Sequence, residues 1–256
     1  MKQEEIWKHI NELFSNTAAN INVLEEEIDL VVQRKYMNLA SKLIGNAGEE
    51  KEVLQHAREN VQRLFDKTTG DKEKKELLVL LAMIDDVVIY RAIESFAKQG
   101  GRLKKWATVA LQQSRILIQS TLMDGSSFFV STGLGGSGMN LRYCCVLLIS
   151  DGIELKPYQR DIVREESKLA ITRQGGSIEQ CEFHDRYIIL VLLLPILVDL
   201  NSTFEGIIKE CNTYGECLSE RMILTNVKKF SDKDIKDFIE SEQASEPGND
   251  AGPRAK

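Results

Sequence analysis

Ser131-Thr132-Gly133-Leu134-Gly135-Gly136-Ser137-Gly138-Met139-Asn140 runs directly into Leu141-Arg142-Tyr143-Cys144-Cys145-Val146-Leu147-Leu148-Ile149. The first stretch has the composition of a loop, because glycine tolerates the backbone conformations that tight turns need. The second is short and almost wholly apolar, which reads as a strand in the middle of a sheet. Upstream of this seam, apolar residues recur at helical spacing. Downstream they come in short runs and alternations. The chain therefore divides near residue 125, and the fold class read from it is α+β.

The upstream part, residues 1–125, reads as an all-helical domain. Ile6, Trp7, Ile10, Leu13 and Phe14 mark one buried helix face. Ile21, Leu24, Ile28, Val31 and Val32 predict a longer helix ended by Gly45 to Gly48. Val53, Leu54, Ala57, Val61, Leu64 and Phe65 form a third set, closed by Thr68-Thr69-Gly70. Asp71 is expected to cap a helix rich in leucine from Leu77 to Leu81, and Asp85 or Asp86 the next one. Gly100-Gly101 is a turn, followed by a helix carrying Leu103, Trp106, Ala107, Ala110, Leu111 and Leu117. Amphipathic helices joined by short turns pack antiparallel, as a bundle or as a short helical-repeat-like stack.

Residues 126–241 read as an α/β domain. From Leu141 the order is strand, helix from Pro157, strand Ile178 to Phe183, strand Tyr187 to Leu194, helix after Asp199 or Ser202, strand Arg221 to Val227. That βαββαβ order predicts a ferredoxin-like arrangement with two helices on one sheet face. A helix from Ser231 follows. Phe128 to Thr132 is expected to add an N-terminal edge strand by hairpin through the glycine loop. Both side-chain rows of Tyr187 to Leu194 are apolar, so this strand should be buried on both faces, with the helical domain covering the second. Residues 242–256, rich in Ser, Glu, Pro, Gly, Asp and Ala, read as a disordered tail.

Composition narrows the function classes. A net charge of −6 argues against a surface coated by nucleic acid, though it leaves room for a local basic patch. The N-terminus has no apolar core of a secretory signal, and Tyr187 to Val198 is too short for a membrane span. Five cysteines without a C-x-x-C pair suit reduced, buried thiols, so a cytoplasmic protein with no membrane partner is expected.

Two candidate sites emerge. Ser131, Thr132, Gly133, Gly135, Gly136, Ser137 and Gly138 have the composition of a backbone nest for a phosphate. No Lys-Ser/Thr follows the last glycine, however, and the run leads into a strand rather than a helix, so a hairpin connection is the simpler reading. Arg102, Lys104 and Lys105 beside Trp106 have the makings of a nucleic-acid contact, although Trp106 is in phase with the buried helix face. Cys181 and His184 lie three apart on a strand that ends in a turn. Residues so spaced face opposite ways, so no metal or catalytic pair is assigned to them. No catalytic residue, metal site or cofactor is read from the sequence. The function expected is a non-catalytic interaction protein that binds another protein. The alternatives are a small-ligand or nucleotide-binding protein using the glycine loop and, third, an RNA-associated protein.

Overall fold

The computed structural model describes residues 20–44, 50–122 and 127–245. The expected first helix over Ile6 to Phe14 and the stop at Gly45 to Gly48 lie outside them. Among the described residues, five α-helices occupy the first half: α1 (Leu30–Ile44), α2 (Glu50–Glu59), α3 (Asp71–Leu81), α4 (Val87–Gln99) and α5 (Lys104–Leu122). Helix α4 shows why the periodicity was readable. Ile89, Ile93, Phe96 and Ala97 are buried on one stripe, and the Asp86 carboxylate caps the helix by accepting the Val88 N–H at 2.7 Å. Helix α3 departs slightly from expectation. Gly70 occupies its cap, and Asp71 serves as first-turn acid.

Helix α5 packs against α1, α3 and α4. Tyr36 and Trp106 meet in the core with ring centroids 5.3 Å apart, among Leu78, Leu81, Ile93, Ala107 and Ala110. A fully buried leucine of this kind contributes about 1.5–3 kcal/mol through apolar burial.

The helix expected from Ile21 is replaced in part by a strand, β1 (Asn20–Val23), which pairs in parallel with β2 (Ser127–Val130). Tertiary hydrogen bonds override the helical spacing here: the Leu24 N–H donates to Val130 O at 3.0 Å and the Gly136 N–H to Glu25 O at 3.3 Å. Helix α1 starts only at Leu30, after Asp29, whose carboxylate accepts the Val31 N–H at 2.6 Å. Val23 belongs to the sheet core and Leu24 to the helical core. The boundary expected near residue 125 is thus bridged by paired backbone.

The second half contains β3 (Gly136–Ser137), β4 (Asn140–Ile149), α6 (Pro157–Arg173), β5 (Ser177–Phe183), β6 (Tyr187–Pro195), α7 (Leu200–Asn212), β7 (Leu218–Thr225) and α8 (Asp232–Ser245). The antiparallel sheet runs β7-β4-β6-β5, and β3 shares with β7 the same side of β4. The extra strand expected from Phe128 to Thr132 does not join this sheet. It pairs with β1, and the glycine run itself supplies β3, opposite Asn140 and Leu141. Gly136 permits this because a Cβ there would stand 2.2 Å from Asn140 O.

Strand β6 is central, as expected. Ile188, Leu190, Leu192 and Leu194 line one face with Tyr143, Cys145 and Leu147 of β4, under α6 and α7. The opposite face carries Val146, Leu148, Tyr187 and Ile189. Its cover is a correction: Ile235 and Ile239 of α8 pack there, not the helical half. Helix α8 also continues to Ser245, so residues 242–245 are helical where a disordered tail was expected, and the rest of that tail lies outside the described residues.

Candidate nucleic-acid interface

Three helix ends meet at one corner of the helical half. Gly100 and Gly101, at φ +76° and +85°, reverse the chain between α4 and α5 in a conformation that other residues adopt only with strain. The turn sets Arg102, Lys104 and Lys105 at the start of α5. Folding then brings in the start of α3. The Trp106 Nε1–H donates to Lys75 O at 3.2 Å, and Lys75 Nζ lies 5.0 Å from the Trp106 ring centroid. Lys74 Nζ lies 5.8 Å from the centroid of Phe96 on α4. Both contacts place a cation over a ring face.

The pairing of charges decides which cations remain free. Asp71 takes Arg102 at 3.3 Å, Glu73 takes Arg63 at 2.7 Å, Glu76 takes Lys72 at 3.9 Å and Glu94 takes Lys98 at 3.2 Å. Asp66 accepts from Thr68, which is the main cause holding its carboxyl below the ordinary value, with Lys74 and Arg63 adding a smaller pull. Among the described residues, no carboxylate then lies in ion-pair range of Lys74, Lys75, Lys104 or Lys105. Lys104 and Lys105 also occupy the first turn of α5, where positive charge opposes the helix dipole at a cost of about 0.3–1 kcal/mol each. An anion at the corner would relieve that cost.

Of the sequence-read residues, Lys104 and Lys105 are exposed at this corner and Arg102 is engaged with Asp71. Lys74 and Lys75 were missed. Nothing local marks them, because about thirty residues of sequence separate them from the turn that they join. Trp106 is buried, as its phase predicts, so it anchors the corner and offers no open ring.

The glycine run lies elsewhere, where backbones cross. A Cβ on Gly133 would stand 1.7 Å from Val227 O, and one on Gly135 2.4 Å from Glu25 O. Thr132 Oγ1 donates to Gly135 O at 3.1 Å, Ser131 bonds Gln33, and the Leu134 N–H donates to Asn226 O at 3.0 Å. Ser137 is exposed, and Gly138, at φ +58°, makes the turn from β3 into β4. Arg142 closes the junction through Leu134 O at 2.8 Å, Glu25 O at 3.3 Å and the Glu179 carboxylate at 2.6 and 2.9 Å. The backbone donors of Leu134 and Gly136 are thus spent on neighbouring strands and segments.

Cys181 and His184 are held apart by the hairpin. Cys181 faces α6, and burial raises its thiol pKa, against a smaller opposing pull from Arg164. His184 stacks on Tyr187 with centroids 4.6 Å apart. The Tyr187 hydroxyl donates to Asp232 at 2.9 Å, and its pKa is pushed up to about 12, chiefly by desolvation. Among the described residues, no three His, Cys, Asp or Glu side chains converge in a way that would hold a metal ion.

No protein-family profile matches the chain, and no curated protein matches it. Solved structures do. A transposase candidate from Deinococcus radiodurans R1 matches with TM-score 0.36 and 13% identity, over 40% of this chain and 91% of that one. A REP-associated tyrosine transposase bound to a REP hairpin matches with TM-score 0.31 and 12% identity, over 41% of this chain and 68% of that one. The expected reading as a non-catalytic protein-binding adaptor is corrected here: the solved structures similar to this chain are described as transposases. No residue role is carried over at such low identity.

Proposed function

We propose that this chain binds nucleic acid, with the α3–α4–α5 corner as its phosphate-contacting surface. The single observation that carries the reading is that Lys74 and Lys75 of α3, the helix on which Trp106 packs, and Lys104 and Lys105 at the start of α5 have no carboxylate in ion-pair range among the described residues, the acids Asp71, Glu73, Glu76 and Glu94 being paired with other cations. Lysine ammonium groups without a carboxylate partner suit phosphate oxygens, whose neutralisation releases counterions and makes binding steeply salt-dependent. The net charge of −6 confines such contact to a patch.

The proposal includes the ferredoxin-like arrangement for residues 126–241, supported by the strand order β7-β4-β6-β5 with α6 and α7 on one face. It keeps a helical part up to residue 125. It also keeps a cytoplasmic setting, which five free thiols fit. No helix among the described residues is long and apolar enough to cross a membrane.

The test is fluorescence anisotropy with a labelled DNA duplex across a salt series. Replacing Lys104 and Lys105 together by Ala lowers the slope of log affinity against log salt by about 2, and adding Lys74→Ala and Lys75→Ala nearly abolishes binding. An unchanged slope in the quadruple variant, with unchanged circular dichroism, refutes the corner as the contact.

A further inference from the structure

The exposed edge of the sheet carries a second surface. Strand β5 lies at the end of the order β7-β4-β6-β5, and a groove of about 360 Å³ follows it alongside α6. Its floor includes Ile178 and Cys181, and Phe183 continues the same row. Its wall includes Arg164 and Lys168, and Arg160, one turn earlier on α6, extends this file of cations past the groove towards Phe183, with about 6 Å along the axis between successive members. The Arg160 and Arg164 guanidinium carbons lie 5.9 and 5.2 Å from the Phe183 ring centroid. Arg164 bonds Asp161 at 2.8 Å, whereas Arg160 and Lys168 have no carboxylate in ion-pair range among the described residues. Glu179, the acid within the groove, is neutralised by Arg142 at 2.6 Å.

We infer that this groove holds a single-stranded segment of nucleic acid, its bases against Phe183 and the guanidinium planes and its phosphates along Arg160 and Lys168. The inference rests on the nucleic-acid reading above and adds the form of strand that a second site takes. Charge complementarity and the cation–aromatic pairing select this occupant, because guanidinium planes and aromatic rings stack any base without reading its sequence. A peptide adding itself to the edge fits less well. The β5–β6 register shifts between Ile178 and Gln180, and such a bulge breaks the regular ladder that a further strand would extend.

The experiment compares a labelled oligothymidine with a duplex of equal length, both on the full chain. Phe183→Ala weakens binding of the single strand about tenfold and leaves the duplex unchanged. Arg160→Ala with Lys168→Ala, both on exposed positions that tolerate change, lowers the single-strand salt slope by about 1.4. Equal losses on both ligands, or no loss on either in the Arg160/Lys168 variant, overturn the groove. Duplex binding that depends on Lys104 and Lys105 would then still uphold the corner. Loss of single-strand binding in the groove variants, with no effect of the corner variants on either ligand, upholds the groove and refutes the corner. Displacement of the oligonucleotide by an acidic peptide that requires Arg160 also overturns the inference.

Discussion

Both faces of the sheet are apolar along β4 and β6, yet they are covered in different ways. The first face lies under two helices, α6 and α7, and its row Ile188, Leu190, Leu192, Leu194 is fully buried. The second is closed by one helix, α8, over Val146, Leu148, Tyr187 and Ile189. Beyond that helix the same face turns polar: Arg142 stands opposite Leu193, and Gln180 opposite Val191. Leu193 is accordingly only half-buried, while its neighbour Leu192 is 0% exposed. The difference teaches that an apolar strand specifies burial but not its cover. A helix connecting two strands of the sheet is bound to return to it. Helix α8 follows β7, the strand at one end of the order β7-β4-β6-β5, and its docking over this face rests on the side chains of Ile235 and Ile239.

The sharpest way to break this comparison is a charge on each face. Leu192→Asp is expected to cost more than about 4 kcal/mol, because an unpaired carboxylate would sit in the fully covered core. Leu193→Asp is expected to cost markedly less, since water reaches that position. Urea unfolding of both variants measures the gap, and equal losses would mean that the two faces are equally closed.

A smaller effect tests the single-helix cover. Ile235 is 0% exposed against the second face, so Ile235→Ala should cost about 2–5 kcal/mol. Binding of an apolar dye should rise with it as α8 loosens. Full stability without dye binding would show that α8 contributes little to that face.

The smallest effect is electrostatic and sits at the start of α8. Asp234 accepts from Lys228 Nζ at 2.8 Å and from the Ser231 N–H at 2.9 Å, which hold its carboxyl well below the ordinary 3.8. A depressed folded-state value means that the contribution is present above pH 3.8 and is lost as pH falls through the lowered value. Asp234→Asn should therefore lower Tm modestly at neutral pH, and its difference from the parent should shrink on acidification. A difference that grows with acid would show that another group governs this helix start.

Much of the architecture was legible because it follows from local rules. The stripe Ile89, Ile93, Phe96 marked a helix, Asp86 and Asp199 acted as the caps their positions suggest, and the doubly apolar run after Tyr187 marked a central strand. The failures share one cause. Ile21 and Leu24 fit a helix by spacing, but the hydrogen bonds that make β1 come from residues more than a hundred positions away. The corner was half legible for the same reason: Arg102, Lys104 and Lys105 stand together in the chain, whereas Lys74 and Lys75 arrive only when Trp106 packs against α3.

By itself the sequence determined most of the helices and strands of the two cores and which of their faces are apolar, because side-chain spacing along a regular backbone is a local property. Only the tertiary structure decided what covers each face, which cations are left without a carboxylate, and that the glycines at 133, 135 and 136 serve close backbone crossings. Those outcomes depend on distances between remote segments, and such distances exist only once the chain has folded.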